Sequence, residues 1–250
     1  MDFSNVDTIL RSLGAGKVKP RDLAKARAWS EQMVRGDGRR YKTLEAAFKV
    51  FGVAPELQSR VLTRWKEAGR PGLDEFAPYA AYNLKVDLFF YLSLQASLIS
   101  SQRASNRVDI AYLYYLPFCM IFTSGDRLHE NISPLFLRED QEFLWAPKLK
   151  EDLGRLDPHY DKLPESTKAQ GIMRFAPTPP KEGDYLTTKL WDRFLPAWRE
   201  SHVPTSDRMM AKAKAYAKAL SDQAKSSAKA DETTQSRHAT IIVCRFIRRS

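Results

Sequence analysis

Two aspartates frame the part of this chain best suited to chemistry. Asp109 follows Asn106-Arg107 at the start of the aromatic-rich run VDIAYLYYLPF, and Asp126 follows Thr123-Ser124-Gly125 just past CMIFTS. Carboxylates are hard oxygen ligands suited to Mg²⁺ or Mn²⁺, and such ions can clamp the attacking and leaving oxygens of a phosphodiester. The first run suits a short helix with Asp109 at its start, ended by Pro117. The second is β-branched and aromatic, as an interior strand of a parallel sheet is. A helix of roughly ten residues rising 1.5 Å each, followed by a strand running back, returns the chain to its starting level. The two acids are therefore expected to meet at a sheet edge. Each also has a plainer use, Asp109 as a helix N-cap and Asp126 as a turn residue.

Other side chains surround this pair. Thr123 and Ser124 are placed to hydrogen-bond a carboxylate or a phosphate, and Arg107 and Arg127 to steady a phosphate. His129 lies three residues past Asp126. Asp87 interrupts the most apolar segment, where an unpaired charge is costly. A metal or an arginine is its expected partner. No Gly-rich phosphate loop, nucleophile elbow or H-E-x-x-H motif occurs, and the four histidines have no metal-ligand spacing.

The elements that must position these residues are mostly helical. Apolar spacing and terminal glycines predict helices within Lys19 to Gly36, over Tyr41 to Phe51 and over Pro55 to Ala68. Asp74 to Ser100 predicts one long helix with a broad buried face through Leu84, Leu88 and Leu92. Beyond Asp126, prolines separate short helices such as Lys148 to Leu156, and Thr187 to Arg199 predicts a Trp-rich helix. Met209 to Lys229 predicts a lysine-bearing helical arm, and ATIIVCRFI a terminal strand.

The run from Asp109 through Ala111 and an aromatic helix to an apolar strand ending in Thr123-x-x-Asp126 resembles the second half of the PIN-like nuclease domain. The wording YLPFCMIFTSGDRLH is close to what bacterial PIN-like proteins carry at this place. The resemblance covers about 45 residues, Val86 to Glu130. It implies an α/β, Rossmannoid three-layer core with a central, mostly parallel sheet, helix-rich overall. It also implies further acids, to which Asp2 in Asp2-Phe3-Ser4-Asn5 and Asp87 correspond. No apolar strand precedes Asp2, which departs from the family pattern. A metal set of Asp2, Asp87, Asp109 and Asp126 follows, with Asp87, Asp109 and Asp126 as catalytic residues and Mg²⁺ or Mn²⁺ as cofactor.

With 43% hydrophobic residues the chain has material for a sizeable core. Residues 1–140 are expected to form the PIN-like core, 141–208 a Pro-rich irregular helical extension, and 209–250 the lysine arm and last strand. Two cysteines, Cys119 and Cys244, argue against a disulfide framework or a cysteine-based zinc site. The absence of a long apolar run argues against a membrane span, and the N-terminal residues do not read as an export signal, so the cytoplasm is expected. A net charge of +10 favours nucleic acid as partner. The expected activity is metal-dependent phosphodiester hydrolysis, in RNA before DNA, with room for a protein partner or inhibitor. The alternative is a non-catalytic nucleic-acid-binding or protein-interaction module on a degenerate PIN-like scaffold.

Overall fold

The computed structural model describes residues 4–14, 19–36, 38–103, 105–200, and 211, 214, 215 and 218. Asp2, most of the lysine arm and the terminal strand expected over ATIIVCRFI lie outside the described residues. The chain divides into two compact units, Met1–Leu144 and Trp145–Ser250.

The first unit begins with α1 (Ser4–Ser12), α2 (Leu23–Arg35), α3 (Arg40–Phe51) and α4 (Pro55–Glu67). The last three fall where apolar spacing predicts them, and their ends have identifiable causes. Asp22 caps α2 by accepting a bond from the Lys25 amide at 2.6 Å. Gly36 and Gly52 close α2 and α3 in the left-handed region, at φ 52° and 61°. Pro55 opens α4, where its missing N–H is no loss.

The long helix expected over Asp74 to Ser100 is split into α5 (Leu73–Phe76) and α6 (Pro78–Gln95). Pro78 holds the preceding residue out of helical geometry, and Ala77 sits at φ −144°, ψ 73°. α6 is apolar nearly all round and runs through the middle of the core. Its Leu84, Val86, Leu88 and Phe89 are wholly buried, and α2 packs along it. Each such side chain contributes about 1.5–3 kcal/mol by leaving water.

Next come α7 (Ser105–Ala111), a 3-10 helix over Tyr112–Phe118, β1 (Ile121–Ser124), α8 (Arg127–Ile132), a 3-10 turn over Ser133–Leu135, and β2 (Glu142–Trp145). β1 and β2 pair in parallel, joined through α8, and the Glu142 amide bonds the Met120 carbonyl at 2.9 Å. The fold is thus helix-rich α/β. Among the described residues this pair is the whole sheet. β1 is consequently half-buried, with Thr123 exposed, in place of the interior strand expected. The core is built mainly by the helices.

The second unit contains α9 (Ala146–Asp161), α10 (Glu165–Lys168), α11 (Ile172–Phe175), α12 (Leu186–Phe194) and a 3-10 turn over Pro196–Arg199. α9 outruns the expected Lys148 to Leu156 at both ends. Its buried Asp152 accepts bonds from the Leu186 and Thr187 amides at 2.7 and 2.8 Å and from the Thr187 hydroxyl at 3.0 Å, so one helix caps the start of another. No described helix is long and apolar enough to cross a membrane.

Candidate functional site

Asp126 sits two residues past β1 and caps α8, its Oδ1 accepting the Leu128 amide at 2.6 Å. The turn role read from the sequence and a site role are compatible, because Oδ2 makes no hydrogen bond or ion pair among the described residues. Asp109 does not open its helix. It is the fifth of seven residues in α7, since the helix starts back at Ser105, which rules out the N-cap use. Its half-buried carboxylate has no partner among the described residues.

The residue that joins these acids is His129, buried within α8. Its Nε2 lies 2.7 Å from the carbonyl oxygen of Asp109 and its Nδ1 lies 2.8 Å from the Ser124 hydroxyl. A carbonyl can only accept, so Nε2 carries the proton and, in the neutral ring, Nδ1 accepts from Ser124. Ser124 Oγ in turn accepts the Asp126 amide at 3.1 Å. One imidazole therefore connects α7, the end of β1 and the start of α8. The rings of Tyr112 and Phe122 hold its edges, with centroids at 5.7 and 5.2 Å.

Asp87 lies apart from this network, in the helical core. It is 2% exposed, and its partner is the arginine that the sequence allowed for. Arg107 Nη2 pairs with Oδ1 at 2.9 Å, and the Tyr114 hydroxyl donates to the same oxygen at 2.5 Å. Arg107 Nη1 also donates to the Tyr114 hydroxyl at 2.8 Å, closing a three-membered cluster. Burial pushes the Asp87 carboxyl above its ordinary range, opposed by Arg107 and by the Tyr114 hydroxyl. Burial, with the charge of Asp87 beside it, likewise raises Tyr114. Arg107 is thereby engaged in the core, not directed at a phosphate. Exposed Arg127 pairs with Glu130 at 2.5 Å.

Of the residues expected to act together, the backbone of Asp109 is brought through His129 to the Ser124–Asp126 turn, exposed Thr123 precedes Ser124 in a strand whose successive side chains point to opposite faces, and Asp87 with Arg107 forms a separate cluster. Asp2 lies outside the described residues. Among the described residues no group of three or more His, Cys, Asp or Glu side chains is placed to hold a metal ion. Mg²⁺ is commonly held by one or two carboxylates, the rest of its shell being water and substrate phosphate. The unengaged oxygens of Asp109 and Asp126 suit that mode, whereas the enclosed carboxylate of Asp87 does not. Sequence reasoning passed over His129 as the organising residue and Tyr114 as the partner of Asp87. The signal for His129 was its position one turn into a helix that follows Ser124. No protein-family model, curated protein or solved structure matches the chain.

Proposed function

We propose that the protein is a divalent-metal-dependent nuclease of PIN-like type, acting on RNA in preference to DNA, with its site where α7, β1 and α8 meet. The observation that carries this reading is the His129 bridge, which ties the backbone of Asp109 to the Ser124–Asp126 turn. The parallel pair with its α8 crossover is the part of a three-layer PIN-like core on which such a corner would sit.

In this reading Asp109 and Asp126 hold Mg²⁺ or Mn²⁺, which when bound supplies Lewis acidity and a water of lowered pKa. His129 keeps the two carboxylates in register, and Ser124 fixes the turn through the Asp126 amide. Thr123 faces solvent at the strand end, within reach of a phosphate oxygen. Asp87, with Arg107 and Tyr114, is a positioning cluster that fastens α7 to α6. Exposed cations on the first helices, among them Lys25, Arg35, Arg40 and Lys42, give a sequence-independent grip on a phosphate backbone.

A second reading is a nucleic-acid-binding or protein-interaction module on a degenerate PIN-like scaffold. It is favoured by the engagement of Asp87 in the core, which leaves Asp109 and Asp126 as the acids available at the corner. Incubation of end-labelled single-stranded RNA with Mn²⁺ separates the two. Cleavage by the protein and its loss in Asp126→Asn supports the nuclease, and binding without cleavage supports the second reading.

A further inference from the structure

α4 gives little of itself to the core. Of its thirteen residues only Trp65 is buried, with Val61 and Leu62 half-buried against the core. At about 3.6 residues per turn, Ser59, Arg60, Thr63 and Arg64 lie together on the side opposite Trp65. All four are exposed. Among the described residues neither arginine forms an ion pair, although Glu56 and Glu67 stand one turn away at the ends of the same side.

The surroundings add to this charge. Arg39 to Arg70 carries eight Lys and Arg against three Asp and Glu, so half of the chain's +10 falls in 32 of its 250 residues. Of the three acids, Glu45 is taken by Lys49. Arg40 donates to the Arg70 carbonyl at 3.2 Å and the Trp65 indole to the Pro71 carbonyl at 2.9 Å, which holds the start of α3 beside the turn that ends α4. Arg70 itself stands in the left-handed region at φ 58°, a conformation that strains an arginine and would suit a glycine. α3 and α4 are joined by the three residues Gly52 to Ala54, with Gly52 left-handed. Helix-turn-helix units use a connection of this length, often with a glycine in it.

We propose that α4 lies in the major groove of double-stranded DNA, where Arg60 and Arg64, with Arg70 and Lys66 beyond them, neutralise phosphates. A duplex carries about one charge per 1.7 Å of axis, twice the density of a single strand, so fixed cations gain most from it. A helix about 10–12 Å across fits the B-form major groove, about 12 Å wide, whereas that of A-form RNA is deep and narrow. The outward side of α4 carries no aromatic ring on which unpaired bases could stack. These elements are not those of the α7–β1–α8 corner, and the proposal goes beyond the cleavage placed there.

The test is fluorescence anisotropy in EDTA, which silences any metal-dependent cleavage and so keeps the outcome independent of the corner. The probes are labelled sixteen-base-pair DNA duplexes of randomised sequence, the matching RNA duplexes and the single DNA strands. The DNA duplex should bind about tenfold more tightly than either of the others. Joint Arg60→Gln and Arg64→Gln substitution should weaken DNA binding about tenfold and lower the magnitude of its log–log salt slope by about 0.9 for each arginine. Joint Lys148→Gln and Lys150→Gln substitution removes the same charge from exposed positions of α9 and should bind as the parent does. Arg70→Gly should also lower the slope by about 0.9 while its thermal midpoint falls no lower than the parent's. Full DNA affinity in the arginine variant, an equal loss in the lysine variant, or RNA duplex bound as well as DNA would overturn the proposal. Unchanged affinity with a lowered midpoint in Arg70→Gly would remove Arg70 from the surface.

Discussion

His129 Nε2 donates to the carbonyl of Asp109, twenty residues earlier in the chain, across 2.7 Å. That bond and the one to Ser124 leave the ring no free nitrogen, so His129 is a positioning residue. His129→Ala removes both bonds and opens a buried space between Tyr112 and Phe122. A loss of about 2–4 kcal/mol is expected, from stranded polar groups and the cavity together. Urea unfolding checks it, and a change below 0.5 kcal/mol, roughly that of an ordinary surface site, would deny the bridge its role.

Asp87 and Arg107 should behave as a coupled pair. Asp87→Asn leaves the arginine without its counter-charge in the core, and Arg107→Met leaves a buried carboxylate alone. Breaking such a pair costs about 3–5 kcal/mol when one charge is left enclosed, and less on the arginine side because Arg107 is 35% exposed. The double variant should be more stable than the sum of the two single losses predicts. Strict additivity in a double-mutant cycle would show that the contact is not energetically coupled.

Much of the helical framework was legible because its signals are local. Gly36, Gly52 and Pro55 mark their helix boundaries by backbone geometry alone, and α2, α3 and α4 lie where those residues place them. The split of α5 from α6 was equally written in Pro78, but the continuous apolar pattern on both sides masked it. Asp109 lies inside its helix, not at its start, because α7 begins within the polar run SSQRASNR, at Ser105, and not after it. The Asp87–Arg107 pair, the Tyr114–Asp87 bond and the His129–Asp109 bond join residues 20 to 27 positions apart. No spacing rule reports contacts at such separations.

Alkaline pH should destabilise the first unit through its buried tyrosines. Burial, with help from Asp87, pushes Tyr91 up to about 12, and burial raises Tyr82 and Tyr114 as well. Unfolded tyrosine ionises near 10. The folded state therefore holds protons that the unfolded chain releases, so their contribution is whole below about pH 10 and lost as pH rises through the folded values. The urea midpoint should fall between pH 9.5 and 11.5, and less steeply in Tyr114→Phe. A midpoint flat over that window would contradict the burial of these hydroxyls.

Asp126 carries a cap as well as a proposed ligand, and two substitutions separate the roles. Asparagine caps helices as well as aspartate does, so Asp126→Asn should keep its stability, whereas Asp126→Ala should lose about 1 kcal/mol. Thermal unfolding of both variants checks this. Equal stability of the alanine variant would mean that the bond to Leu128 contributes nothing.

Asp109 and Asp126 are proposed as two parts of one phosphodiester-cleaving site. Single-turnover cleavage of labelled single-stranded RNA in Mn²⁺ tests this most directly, using the parent protein, Asp109→Asn, Asp126→Asn and the double variant. A loss of about a hundredfold or more is expected in each single variant and no further loss in the double, as for residues that act as a unit. Intact RNA with the parent protein, or cleavage by either single variant at the parent rate, would contradict it.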